Sequence, residues 1–307
     1  MNSNLKWPLL LALLLSMSSL QVKAQDLEED DDLEELDGLQ GIKGFHVGFY
    51  LGGFFANKST TGLYDGYGFD LNGERNTFAN SFMYRKIFYE YGGGNGQTDI
   101  IAEQMNVDPG TWHFTESDMP SNLKYKPAFM LGLHLNHGFT KRDNLLLNLN
   151  FARLTVEGNF TITIDKPPNQ NQFFKTIYDY PLRGNEQRMQ LQLGYGRIFG
   201  NNKFVNFFAE AGFSVNYAKL QKYFIQIESL RIDLTSFSNL GGYNYIEPEQ
   251  YIGWGVGVFG GAGVYLRLNS RYTAKILYAP SYEKVNIGLE PKATLQHNAG
   301  LRIYYRL

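Results

Sequence analysis

The chain has 307 residues and a formal net charge of −2, with 33 glycines, 21 tyrosines, 23 phenylalanines and no cysteine. The missing cysteine excludes disulfides, zinc–thiolate centres, a thiol nucleophile and a lipid-modified thiol. The near-neutral charge gives no reason to expect a nucleic-acid partner, and abundant glycine and aromatics with only 19% charged residues point to many short strands and turns.

The chain opens with Lys6, an apolar run over residues 7–20 and a small-residue pattern at 22–24. That run is about 14 residues, short of the roughly 20 that a spanning helix needs, so residues 1–24 are expected to be a cleaved signal peptide. Residues 25–43 are expected to form an acidic periplasmic tail: the stretch 26–37, DLEEDDDLEELD, holds nine acids and no base. Such a run solvates itself. The leucines at 27, 33, 36 and 39 give it an apolar stripe that solvation does not require, which makes Asp31 and Glu34 candidate partner contacts.

From residue 44 onward, eight segments alternate apolar and polar residues, near 44–56, 127–139, 145–156, 186–199, 203–218, 252–268, 271–281 and 292–306. The connections at 140–144, 200–202 and 269–270 are tight; those at 57–126, 165–185, 219–251 and 282–291 are longer. Tight turns at one end, longer loops at the other and an even strand number predict an all-β fold, an eight-stranded antiparallel transmembrane β-barrel with long extracellular loops, over residues 44–307. Phe49, Leu133, Leu149, Leu193, Phe213 and Ile276 fall on the outward parity, and Asn150, Gln192, Glu210, Lys275 and Arg302 on the inward one.

The connection 57–126 is too long for a plain loop and too aromatic for disorder, so a folded extracellular cap with a partner surface is expected, Trp112 among its contacts. Residues 98–107 read as a short helix with Thr98 as N-cap. The oxygen-rich stretch 64–74 lacks EF-hand spacing and reads as a solvated turn. His113 with Glu116 and Asp118 has no nucleophile fixed beside it. No metal site, cofactor or catalytic residue is expected.

Residues 253–268, GWGVGVFGGAGVYLRL, place glycine at 253, 255, 257, 261 and 263, so one strand face is nearly bare. In a narrow barrel this makes room for bulky side chains from across the lumen, namely Tyr50, Phe208, Glu210 and Arg302; a groove for a ligand or inserted segment is the alternative. The lumen is expected to hold a network of Glu210, Arg302, Lys275, Arg267 and His134, one acid among several bases. Such a network either plugs the barrel or leaves a narrow, anion-leaning passage. His297 falls on the lipid face, where it needs the headgroup zone or a protein partner to cover it.

The terminal strand GLRIYYRL, residues 300–307, resembles the C-terminal signal of bacterial outer-membrane proteins, with Leu307 in place of the usual aromatic. With AQ at 24–25 and the first strand GFHVGFYLGGFF, the chain resembles the small PorT-like outer-membrane barrels of Bacteroidetes. That resemblance implies a role in envelope assembly or secretion machinery. The expected protein is a non-enzymatic, partner-docking subunit of the bacterial outer membrane, with both termini periplasmic. Its expected partners are outer-membrane lipid and other envelope proteins. A narrow passive pore is the alternative and a barrel hydrolase a third reading.

Overall fold

A computed structural model describes residues 42–70, 74–89, 96–165, 175–235, 252–287 and 292–307. The expected signal peptide and nearly all of the acidic tail, including Asp31 and Glu34, lie outside the described residues. The strands are β1 (Gly44–Phe55), β2 (Trp112–His113), β3 (Ser121–Tyr125), β4 (Ala128–Gly138), β5 (Asp143–Ile164), β6 (Thr176–Phe199), β7 (Val205–Ile227), β8 (Leu230–Asp233), β9 (Ile252–Arg267), β10 (Tyr272–Tyr278), β11 (Ser281–Val285) and β12 (Lys292–Arg306). Two helices, α1 (Phe82–Tyr89) and α2 (Gly96–Met105), lie between β1 and β2.

Eight antiparallel strands close on themselves. The order is β1, β4, β5, β6, β7, β9, then β10 with β11, then β12, which pairs with β1 from His46↔Arg306 to Phe55↔His297. β10 and β11 act as one strand. Tyr278↔Ala299 and Ser281↔Gln296 keep one register across the Ala279–Pro280 step, where proline has no N–H to give. Closure leaves the ring no free edge. The tight turns, Ile42 and Leu307 share one end: the Ile42 N–H donates to Lys141 O at 3.3 Å and the Leu307 N–H to Phe45 O at 3.0 Å.

Three strands run well past their expected limits. β5 continues to Ile164, β6 begins at Thr176 and β7 continues to Ile227. Near the tight turns their outward rows are apolar: Leu145, Leu147 and Phe151; Leu191, Leu193 and Tyr195; Phe207, Phe213 and Val215. Beyond the row Arg153↔Gln187↔Lys219 the phase reverses. The outward positions become polar, and Leu154, Val156, Phe160, Leu182, Leu220 and Ile225 turn inward and are buried. The outward apolar run on β7, Val205 to Tyr217, covers roughly 30 Å of height at the usual rise and tilt. The alternation template expects apolar residues outside, so the inverted extensions look like loop in sequence although the strands continue.

The described residues between 57 and 126 form a cap on these inverted extensions. β2 and β3 pair with β5, through Trp112↔Ile164 and Tyr125↔Val156. Tyr64, Met83, Ile87, Ile101, Trp112 and Phe114 pack with Phe160, Ile162, Leu182 and Ile225 in one core. Gly184 is required there: a Cβ would run into the Tyr64 ring. α2 begins at Gly96, so Thr98 lies inside its first turn rather than at the cap.

Candidate functional site: the capped lumen

The lumen is crossed by three levels of paired polar groups. Nearest the tight turns, Arg302 Nη1 donates to both carboxylate oxygens of Glu210, at 2.6 and 2.7 Å. Lys275 Nζ stands 3.9 Å from Glu210 Oε2, with the rings of Phe208 and Tyr304 4.6 and 5.5 Å away. All three charged groups are buried. The Arg302 guanidinium lies 5.8 Å from the Tyr50 ring, and Tyr50 stacks on His134 at 5.5 Å. His134 is held by Asn150, Nε2 to Oδ1 at 2.8 Å, so it joins the network through an aromatic ring rather than a charge. Arg267 does not join: it is half-buried, roughly 20 Å along β9 from Gly261, the residue paired with Glu210.

At mid-height, Gln190 Nε2 donates to both oxygens of Glu283 at 3.0 Å. At the cap end, Arg188 Nε donates to Glu186 Oε1 at 2.6 Å, both fully buried. The cap closes over this pair. Tyr64 and Tyr125 donate to Glu186 Oε2 at 3.0 and 3.3 Å, and Arg188 Nη2 donates to Thr60 Oγ1 and Tyr125 Oη, both at 3.1 Å. Burial, then the neighbouring Glu186 charge, pushes both phenols well above the ordinary tyrosine range, so both keep the proton they donate.

The expectation of one acid among several bases is corrected. The buried charges of the described lumen are Glu186, Glu210 and Glu283 against Arg188, Lys275 and Arg302. Acids and bases are equal in number, Arg188 on Glu186, Arg302 and Lys275 on Glu210, and Glu283 held by the Gln190 amide, so the described lumen has no excess of buried positive charge to favour anions. Glu186, Arg188 and Glu283 were missed. Their signal is parity: Glu186 and Arg188 continue the inward row of Gln190 and Gln192, and Glu283 continues that of Ser281.

The glycine-rich face of β9 has a different cause from the one expected. A Cβ at Gly253, Gly255 or Gly263 would fall on the carbonyl oxygens of Asn286, Lys284 or Ile276 in the neighbouring strand, and at Gly257 on the backbone and Cβ of Glu283. The adjoining backbone lies close against the inner face of β9 at these positions. Gly261 makes room for the end of a lumen side chain, Glu210 Cγ lying 2.9 Å from its would-be Cβ.

Two expected partner contacts are otherwise engaged. Trp112 is buried and stacks on Phe88 at 5.7 Å, so its ring belongs to the cap core. His297 faces outward, but Tyr278 on the next strand covers it, Oη to Nδ1 at 2.5 Å. Among the described residues, no histidine bonds a serine or threonine hydroxyl, and no cluster of His, Asp and Glu could hold a metal ion.

The geometry defines an eight-stranded antiparallel β-barrel, charge-balanced within and capped at one end. No family model and no curated protein matches the chain. Solved structures similar to it include Neisserial surface protein A, at 9% identity and TM-score 0.41, covering 86% of this chain and 98% of that one. Ail, the attachment invasion locus protein of Yersinia pestis, has 9% identity and TM-score 0.36, covering 87% and 100%. The outer membrane protein OprG from Pseudomonas aeruginosa has 11% identity and TM-score 0.36, covering 87% and 99%.

Proposed function

We propose that the chain is a non-enzymatic barrel of the bacterial outer membrane, serving as a docking subunit of an envelope assembly or secretion complex. The observation that carries the membrane placement is the phase reversal at Arg153, Gln187 and Lys219. An outward apolar wall favours hydrocarbon outside and an outward polar wall favours water, so the reversal marks the boundary between them. On this reading the cap is extracellular, and the tight turns and both termini are periplasmic. The paired charges and the cap's clasp on Glu186 and Arg188 oppose conduction and leave function to the surfaces. Ile42, which follows the acidic stretch 26–37 in sequence, lies at the tight-turn end with Lys141, Arg142, Lys203 and Arg271, and the PorT-like resemblance of the terminal strands supports the same envelope role.

Two measurements test the proposal. Wild-type protein in a planar bilayer should give no steady conductance; a large, sustained one makes it a pore. Deleting residues 26–39 should leave a folded, inserted barrel that loses a co-purifying envelope protein. An unchanged set of co-purifying proteins would remove the tail from the docking role.

A further inference from the structure

We propose that the outer wall just past the apolar band, on β5, β6 and β7, binds phosphate-bearing lipid headgroups of the outer leaflet. This rests on the membrane placement above. Arg153 and Lys219 both lie in the first row past the band, separated only by Gln187 of β6, roughly 10 Å apart at the usual strand spacing. Lys222 follows in the next row, opposite Asn185, and Arg183 in the one after, opposite Glu157. All four basic side chains point outward and are exposed.

The nearest acid on the same wall, Glu157, is engaged by Lys126 at 2.6 Å and by Arg183 at 3.7 Å, and Asp179 lies farther along β6, opposite Thr161. Among the described residues, the side chains of Arg153, Lys219 and Lys222 have no ion-pair or hydrogen-bond partner. Three unpaired cations held on rigid strands at the hydrocarbon boundary sit where anionic headgroups lie, and each such residue near an anionic surface contributes about 1 kcal/mol of attraction. The basic residues at the tight-turn end differ. They sit in turns or at strand ends: Arg142 bonds Asn201 Oδ1 at 2.5 Å, Arg197 stands 3.5 Å from Asp143 Oδ1, and Lys203 lies over the Phe204 ring at 5.9 Å.

The test uses the full chain in mild detergent with diphosphoryl lipid A as probe, read as lipid retained in native mass spectrometry. Wild-type protein should retain it. R153Q/K219Q/K222Q should still migrate as a heat-modifiable folded barrel and retain far less, roughly fivefold weaker for each charge removed. K222Q alone, at a fully solvated position, gives the single-charge step should the triple variant not fold. R142Q/K203Q, at the opposite end, should retain lipid A as the wild type does. Equal retention by the triple variant, or an equal loss in R142Q/K203Q, overturns the proposal. Displacement of the lipid by millimolar inorganic phosphate would overturn it too, by making the wall a free-anion site. Recovery of wild-type protein as a soluble monomer without detergent would instead overturn the membrane placement.

Discussion

Tyr64 and Glu186 lie 122 positions apart, yet the Tyr64 hydroxyl donates to Glu186 Oε2 at 3.0 Å inside the barrel rim. This bond and its neighbour from Tyr125 fasten the cap to the wall. Glu186→Ala should cost about 3–5 kcal/mol, because it strands Arg188 as a buried, unpaired charge. Tyr64→Phe should cost only about 1 kcal/mol. Limited proteolysis should find residues 57–126 nicked first in Glu186→Ala, with the barrel still heat-modifiable. Equal protease resistance in the two variants would dissolve the clasp.

Glu210 is the hub of the level nearest the tight turns. Arg302 makes two short bonds to it, whereas Lys275 stands 3.9 Å away and shares its surroundings with two rings. Arg302→Ala should therefore lower the unfolding midpoint in detergent by several times more than Lys275→Met, which keeps the packing beside Phe208. The reverse order would place the main bond on Lys275.

Two glycines of β9 separate packing from mere flexibility. A Cβ at Gly255 meets the Lys284 carbonyl, but at Gly260 its nearest neighbour is Glu210 O at 3.9 Å. Gly255→Ala should impair closure between β9 and β11, seen as loss of the heat-modifiable band. Gly260→Ala should fold as well as the wild type. If both variants fold equally, crowding by the adjoining strand is not what selects glycine here.

Acid should loosen the cap where β2 meets the end of β5. Asp165 bonds His113 at 3.2 Å and Lys175 at 3.3 Å. Burial works against its charge, but the Lys175 bond and the His113 charge outweigh it and hold the carboxyl below its ordinary range. A lowered folded pKa contributes stability that is present above the unfolded value, about 3.9, and fades as pH falls through the folded one. Protection factors at the Trp112 and His113 amides, with intrinsic exchange divided out, should fall below about pH 4 in the wild type, and Asp165→Asn should flatten that dependence. A wild-type profile without pH dependence would set the contact aside.

Much of the barrel was legible because strands with two unlike faces write their environment into a period of two. Phe49, Leu133, Leu193 and Phe213 announce one face and Asn150, Gln192 and Glu210 the other. The lumen hub of Glu210, Arg302 and Lys275 followed from the same parity. Glu186 and Arg188 were harder to find, because they sit where the phase turns over and the outward neighbours Gln187 and Asn185 no longer mark an apolar outer face. Trp112 was misread because a large aromatic in a long connection signals either a contact surface or a core, and composition alone does not separate the two.

The sequence by itself determined the strand number, the antiparallel order, the identity of each face and the position of the tight turns, since these depend on local alternation and turn residues. Tertiary structure decided the rest. That β5, β6 and β7 continue past the band depends on the cap arriving from residues 57–126 to bury Leu154, Phe160 and Ile225, a contact no local pattern encodes. That the β9 glycines answer to a neighbouring backbone, and that Glu210 meets Arg302 in the described lumen, depend on the closed ring. Closure brings residues of distant strands within a few ångströms, and only at that range do steric exclusion and the cost of an unpaired buried charge act.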